Sequence, residues 1–410
     1  MTLFLCSMRI LFVNNVYNRL STGKIVADIH HSLISRGYDS YVCYARGPKV
    51  QEKHVFRFSW DFYARINTLR GRLTGVLYGG CFISTMRLIR FIKKTHPDVV
   101  NLHCINDSSV NIYRLLRFLS SASIKTVITL HAEFFYTGNC GHAYSCEKWK
   151  TGCFNCNQLH QLHSLFDNTR VSWNRMMEAI SSFGTNDLVF TSVSPWLKSR
   201  AIQNPIIGKF KHFVTLNGVD VNAFTRQPYS LKDKSTIGLS NNHVIMYVTS
   251  SFPSVAKGGN FILQLAERLP NVSIIVLGEY SSTIKIPNNI IPIGRVLDRN
   301  CMAKYYSIAD ITIVVSKAET FSMPVAESLC CGTPVVGFKA GGPESICLKD
   351  YCVFVPYGDM DSLENAIRST LKKDYDSTEI MHQAHNLYSK EQMAASYIGV
   401  YQEIVRNEIS

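Results

Sequence analysis

The chain has 410 residues, 46% apolar and 18% charged, a composition that excludes a globally disordered protein and leaves room for two or three domains. Lys and Arg number 43 against 30 Asp and Glu, and the net charge of +13 calls for an anionic partner: nucleic acid, a phospholipid surface or a phosphorylated small molecule. No stretch reaches the roughly 18–20 uncharged apolar residues of a membrane-spanning helix. The start, MTLFLCSMRILFVNNV, reads as a first buried strand and not as a secretory signal, because Arg9 interrupts its short apolar run and no small-residue cleavage site follows.

Runs rich in Val, Ile and Leu recur along the chain and end in polar or glycine-containing turns. The first half offers 9–15, 39–45, 98–103, 125–131 and 188–194. The second offers 243–249, 272–278, 289–294, 311–316, 334–338 and 352–356. They are apolar on both faces and separated by helical stretches, so the spacing predicts parallel strands of a doubly wound α/β fold. Eleven strands are too many for one sheet, and the pattern pauses over the polar segment 201–242. The linker is expected near 205–225. This gives an N-terminal Rossmann-like domain over 1–205, a second over 206–389 and a C-terminal helix over 390–410 that packs back on the first. The two halves are expected to face a cleft, with ligands at the carboxyl ends of the strands. Residues 1–200 carry 24 Lys and Arg against 11 Asp and Glu, and residues 201–410 carry 19 of each. The whole surplus of positive charge therefore belongs to the first half.

After the first strand, Ser21, Thr22 and Gly23 read as a turn feeding a helix, with Asn14 and Lys24 as further candidate contacts. The upstream glycine of a Walker A loop is missing, and no G-x-G-x-x-G occurs. Residues 57–94 are basic and aromatic. On a helix over 82–94, Leu88, Ile89 and Ile92 form one stripe, and Arg87, Arg90, Lys93 and Lys94 form the adjoining face. This is read either as a helix packed on the sheet with a solvated basic face or as an element drawn to anionic lipid. His103 and His131 fall at the carboxyl ends of consecutive buried strands. Cys140, Cys146, Cys153 and Cys156 follow in a C-x5-C-x6-C-x2-C pattern within the insert 138–158. Four thiolates at this spacing can close a structural zinc site, with His142 as a spare ligand; two disulfides and free thiols are the alternatives.

The most informative segment is SKAETFSMPVAESLCCGTPVV, 316–336. A strand ends in a turn carrying Glu319, a helix begins near Met323–Pro324, and Glu327 lies about one turn into it. Both carboxylates can address one ligand. The N–H groups of Phe321, Ser322 and Met323 at the helix start suit a phosphate or a sugar edge. A carboxylate accepts two hydrogen bonds from a vicinal diol.

This segment resembles the E-x7-E motif of retaining glycosyltransferases with two Rossmann-like domains, the GT-B fold, and in particular family 4. Glu319, Ser322, Pro324, Glu327, Gly332, Pro334 and Val335 carry the resemblance. The segments LNGVD (216–220), AKGGN (256–260), VLGE (276–279), the stretch ending at Arg295 and Val296, YYSIADI (305–311) and FVPYGDMDSL (354–363) match in order. The Cys-rich insert resembles that of some bacterial exopolysaccharide, colanic-acid-type glycosyltransferases.

The resemblance implies a donor site in which Lys257, next to Gly258, neutralises a nucleotide diphosphate. In it Glu327 binds ribose hydroxyls, Glu319 binds the transferred sugar, and the Phe321–Met323 amides face sugar and phosphates. It places His131 beside the reacting sugar, and Thr22, Gly23 and His103 on the acceptor or phosphate side. Many relatives have an arginine shortly before the K-G pair. Here the stretch is SSFPSVAKGG, and Arg295 or the Ser250 and Ser251 hydroxyls are the candidates to replace it.

The implied activity is transfer from a UDP- or GDP-sugar to a lipid-linked saccharide in cell-surface polysaccharide synthesis. The implied setting is cytoplasmic and peripheral to the anionic inner face of the plasma membrane, with no nucleic acid partner. No catalytic metal is expected, because Asp359-Met-Asp361 and Asp374-Tyr-Asp376 sit in a helix cap and a polar loop. The alternatives are a GT-B protein that binds sugar nucleotides without transferring them, or a zinc-containing nucleic-acid-binding protein.

Overall fold

β-branched runs that are apolar on both faces can only be satisfied by burial on both sides, and the chain meets that demand with two parallel sheets flanked by helices. The computed structural model describes residues 8–161, 163–230, 238–239, 243–280 and 285–406. Residues 1–7 of the N-terminal reading, and 231–237 and 240–242 of the polar segment, lie outside the described residues.

In the first unit, Met1–Leu216 with Met393–Ser410, the strands are β1 Arg9–Asn14, β2 Asp39–Tyr44, β3 Val55–Arg57, β4 Val99–Leu102, β5 Lys125–Leu130, β6 Leu188–Ser192 and β7 Lys211–Val214. Their order is β3-β2-β1-β4-β5-β6-β7, and every pairing is parallel. The order reverses at β1, whose Ile10 pairs with Ser40 on one side and Val99 on the other. In the second unit, Asn217–Gln392, the strands are β8 His243–Phe252, β9 Val272–Tyr280, β10 Ile290–Gly294, β11 Ile311–Val314, β12 Val335–Phe338 and β13 Cys352–Val355, in the order β10-β9-β8-β11-β12-β13. Here the reversal falls at β8. Each unit is thus a doubly wound parallel sheet with its own core.

The two units divide between Leu216 and Asn217, inside the segment 205–225 where the linker is expected. β7 forms from KHFV inside the polar segment and pairs with β6, Val189 opposite Lys211, so the first unit continues past its last helix. From Met393 onward the C-terminal helix Lys390–Arg406 belongs to the first unit. Met393, Tyr397, Val400, Tyr401 and Ile404 recur at helical spacing and join Ile10, Phe12, Val26 and Ile29 in one core. Asn101 Nδ2 donates to the buried Tyr401 hydroxyl at 2.7 Å.

Candidate active site

In the second unit, two loops at the carboxyl ends of neighbouring strands set the expected donor residues. The loop after β8 carries Lys257. Its carbonyl accepts from the Tyr247 hydroxyl at 2.8 Å. Gly258 follows with φ +79°, and a Cβ there would lie 2.1 Å from the Val315 carbonyl oxygen. Only glycine allows this approach, and it brings the loop against the end of β11. The loop after β11 carries Glu319. Its N–H donates to the Ala340 carbonyl at 3.0 Å, and its carbonyl accepts from Gly342 N–H at 2.8 Å. With both backbones fixed, Lys257 Nζ donates directly to Glu319 Oε1. The lysine side chain is 38% exposed and the glutamate 18%, so both remain within reach of a ligand.

The helix Met323–Cys330 begins at Ser322, which holds φ 85° and ψ 87°, a conformation unusual for a residue with a side chain. Such strain at a helix start marks functional loops. Ser322 Oγ is buried and has no hydrogen-bond partner among the described residues. Phe321 is buried beside it, and Pro324 occupies the first turn, where its missing N–H costs nothing. Val325, Ala326 and Leu329 face the core, which leaves Glu327 half-buried on the opposite side. Its Oε2 accepts from the Tyr306 hydroxyl at 2.9 Å. Burial, with the adjacent Glu327 charge, pushes the Tyr306 phenol well up, so it stays a proton donor. Sequence reasoning passed over Tyr306 as a signal, although it stands in the YYSIADI segment.

A pocket of about 450 Å³ opens at the ends of β8 and β9, lined by Ser250, Ser251, Gly278, Glu279, Arg295 and Met302 among others. The candidate substitutes for the missing arginine therefore share one concavity. Arg295 Nη1 lies 3.5 Å from Glu279 Oε1, and both groups are mostly exposed, so the pair holds the guanidinium loosely.

In the first unit, His103 Nδ1 lies 2.9 Å from His131 Nε2, and one ring donates to the other. Burial pushes both imidazoles down, His131 to about 4 and His103 well below its usual range. His103, expected on the acceptor or phosphate side, is more enclosed than His131. It is 0% exposed, against 8% for His131, and packs on Phe12 and Tyr397. Burial keeps His131 neutral, and His103 Nδ1 is its ring partner. The expected turn at Ser21–Gly23 is corrected too, because the helix Leu20–Ser35 already includes these residues. A Cβ on Gly23 would meet the Val16 side chain and carbonyl at 2.9 and 3.0 Å. Thr22 lines a pocket of about 490 Å³ with Asn15, Arg19, Arg46, Cys104 and Asp107. Burial pushes the Asp107 carboxyl up, and its nearest cation, Arg46 Nε, is 4.0 Å away. Asp107 follows His103 by four residues in NLHCIND, and only the three-dimensional fold turns it toward Thr22.

A zinc site at the four expected cysteines is not shown. Cys140, Cys146, Cys153 and Cys156 are free, and among the described residues no group of three or more His, Cys, Asp or Glu side chains is arranged to hold a metal ion. The four thiols are neighbours: the Cys156, Cys153 and Cys146 side chains all push the Cys140 thiol up. Cys140 and Cys156 hydrogen-bond to each other, which pushes Cys156 down to about 6. Cys153 Sγ accepts from Gly138 N–H at 3.2 Å. The insert is held by other groups. Glu133, 1% exposed, accepts from Arg200 Nε at 2.7 Å, Tyr136 OH at 2.9 Å and Ala143 N–H at 2.6 Å. Trp149 is buried, and its carbonyl accepts from Trp173 Nε1 and Asn204 Nδ2.

Three of the four carboxylates of the two acidic pairs are accounted for locally. Asp359 caps the helix Met360–Leu371 through Ser362 N–H at 3.0 Å, and Asp361 accepts from Arg268 at 2.6 Å. Asp376 caps the helix Ser377–Tyr388.

The fold is that of the GT-B glycosyltransferases. Over 98% of its length the chain superimposes on the whole of a sucrose-phosphate synthase from Thermosynechococcus elongatus, with a TM-score of 0.67 and 14% identity. Over 96% it superimposes on the whole of Anabaena Alr3699/HepE in complex with UDP, with a TM-score of 0.65 and 15% identity. Residues 234–387, within the second unit, match the family described as glycosyl transferases group 1. A D-inositol 3-phosphate glycosyltransferase of Mycobacterium sp. (strain JLS) is 27% identical over 138 residues, 30% of this chain and 31% of that protein. The N-acetyl-alpha-D-glucosaminyl L-malate synthase of Bacillus anthracis is 21% identical over 188 residues, 43% of this chain and 49% of that protein. The chain thus spans between about a third and a half of the length of these curated relatives.

Proposed function

We propose that the chain is a retaining glycosyltransferase of the family 4 type that moves a hexosyl group from a nucleoside-diphosphate sugar to a lipid-linked saccharide. The carrying observation is the Lys257–Glu319 pair set beside the start of the helix that bears Glu327. UDP and UDP-glucose in the complexes of Anabaena Alr3699/HepE are in keeping with a nucleoside-diphosphate sugar as donor.

Lys257 exchanges its contact with Glu319 for the diphosphate of the donor. A compact ammonium with three donors can bond a phosphate and a carboxylate together. Glu319 then accepts from hydroxyls of the transferred sugar and steadies the positive charge that develops on it as the glycosidic bond lengthens. Ser322 Oγ and the N–H groups at Phe321–Met323 take the sugar and phosphate edge. Glu327, fixed by Tyr306, accepts from ribose hydroxyls. Arg295 with Ser250 and Ser251 supplies the second set of donors for the nucleotide. The acceptor hydroxyl attacks the face from which the diphosphate leaves, the leaving phosphate takes its proton, and the anomeric configuration is kept. Neutral His131 hydrogen-bonds to the sugar, and Thr22 and Gly23 border the acceptor side.

A lipid-linked acceptor in cell-surface polysaccharide synthesis fits a first unit that carries the whole charge surplus, and puts the protein at the anionic inner face of the plasma membrane. Among the described residues no helix is long and apolar enough to cross a membrane. The test is a thermal-shift panel of UDP-, GDP- and ADP-sugars on wild type and Glu327→Ala. Stabilisation by one donor, lost in the variant, supports the reading; no stabilisation by any donor contradicts it.

A further inference from the structure

The helix Asp61–Thr74 is built the wrong way round for a helix that packs on a sheet. Its buried positions are Ala64, Asn67 and Gly71. They are small or polar. Asn67 docks the helix, its Oδ1 accepting from Cys81 N–H at 2.8 Å. The outward side carries Phe62 (74% exposed), Ile66 (51%), Leu69 (59%) and Leu73 (49%). Their spacing of four, three and four residues makes one continuous stripe.

The stripe continues onto neighbouring segments. Trp60, Phe82, Ile83 and Met86 are exposed as well. Ile83 N–H donates to the Tyr63 hydroxyl at 3.2 Å, which joins the start of the helix Phe82–Thr95 to the patch. Leu165 N–H donates to the Arg72 carbonyl at 2.9 Å, and Leu165 and Phe166 are 68% and 62% exposed. Single exposed apolar residues are ordinary, but a contiguous patch is not.

The rim settles the chemistry of what covers it. Residues 57–94 contain eight Lys and Arg and one acid, Asp61. That acid is already paired with Arg57 at 2.7 Å. Arg65, Arg70 and Arg72 stand exposed on the same helix as the stripe. A second copy of this face would bring like charges together, whereas a bilayer of anionic lipid satisfies both the stripe and its cationic border.

Of the two readings of the helix over 82–94, the burial fits the one packed on the core. Leu88 and Ile92 of the helix Phe82–Thr95 are 0% exposed and face the core, so that stripe is not the lipid-facing element. Arg87 stacks on the Trp60 ring at 4.2 Å and holds the edge of the patch.

We infer that the outward face of Asp61–Thr74, with Trp60, Phe82, Ile83 and Met86, lies in the interface of an anionic membrane. The inference deepens the peripheral placement proposed above, but it is tested without donor or acceptor, so it stands or falls apart from glycosyl transfer.

The experiment is co-sedimentation of the full chain with phosphatidylcholine vesicles containing or lacking phosphatidylglycerol, at low and high salt. Wild type and the control Ile202→Ser, an exposed site elsewhere in the first unit, are expected to bind the anionic vesicles. Phe62→Ser/Leu69→Ser is expected to bind at least tenfold more weakly with an unchanged melting temperature, and Arg65→Glu/Arg72→Glu to lose the salt-dependent part. Trp60→Phe is expected to remove a blue shift of fluorescence seen when wild type binds. Equal binding by the Phe62→Ser/Leu69→Ser variant overturns the proposal. So does equal binding to neutral vesicles, or a wild-type dimer that this variant splits while vesicles are ignored.

Discussion

Lys257 and Glu319 lie sixty-two positions apart in sequence, yet the ammonium of one donates directly to the carboxylate of the other. Gly258 makes this pairing possible by letting its loop touch the carbonyl of Val315. A partly exposed pair of this kind contributes at most about 1 kcal/mol to folding. Its value lies in holding a cation and an anion where a diphosphate and a sugar can each claim one. Lys257→Ala is therefore expected to leave the melting temperature nearly unchanged while lowering kcat/KM about 100-fold, the cost of one or two charge-assisted hydrogen bonds of about 1.5–3 kcal/mol each. Initial rates against donor concentration check this, with Glu319→Gln expected to reduce kcat more than it raises KM.

Tyr306 acts through Glu327. Removing its hydroxyl in Tyr306→Phe leaves the carboxylate in place but free to turn. The donor KM is expected to rise about five- to tenfold with kcat little changed, on the scale of one ordinary hydrogen bond of about 1 kcal/mol. Glu327→Ala is expected to raise it further. Steady-state kinetics that separate KM from kcat distinguish this from a general loss of folding.

The two histidines tie stability to pH. Burial lowers the folded-state value of His131 from 6.5 to about 4. The unfolded chain therefore takes up a proton near pH 6.5 that the folded chain refuses. The contribution is complete above pH 6.5 and is lost as pH falls toward about 4, at up to roughly 1.4 kcal/mol per pH unit for each such histidine. Denaturant midpoints between pH 7.5 and 4.5 should fall steeply in wild type and less steeply in His131→Asn. The rate profile should show no ionisation of His131 between pH 6 and 8.

Glu133 anchors the Cys-rich insert. It is buried with Arg200 and two further donors. Glu133→Ala strands the guanidinium and is expected to cost about 3–5 kcal/mol. Guanidinium unfolding of the variant against wild type measures it.

The parallel strands were legible because burial on both faces writes continuous apolar runs. β3 and β7 were not, because Val55–Arg57 and Lys211–Val214 are short edge strands whose partners lie on one side only. The Glu319 and Glu327 turn was legible from residue types and spacing. The support of Glu327 by Tyr306 and of His131 by His103 was not, because both partners reach their sites through strand order. The anchoring of the Cys-rich insert by Glu133 and Trp149 was not legible either, because their partners Arg200, Trp173 and Asn204 lie far along the chain. The helix Asp61–Thr74 looked like ordinary basic and aromatic text until its burial showed which side faces outward.

Asp359, Asp361 and Asp376 are occupied as helix caps or in an ion pair. Transfer is accordingly expected to persist in EDTA at the rate seen without it, and an assay with and without added divalent cation checks this.

The central claim is retaining transfer from a nucleoside-diphosphate sugar at the Glu319 and Glu327 turn. The most direct measurement is NMR of the product formed from a labelled UDP-sugar and a lipid-linked saccharide, with nucleotide release followed in parallel. The account predicts release that requires the acceptor, a product with the anomeric configuration of the donor, and loss of both in Glu327→Ala. A product of inverted configuration, or transfer undiminished in Glu327→Ala, would contradict it.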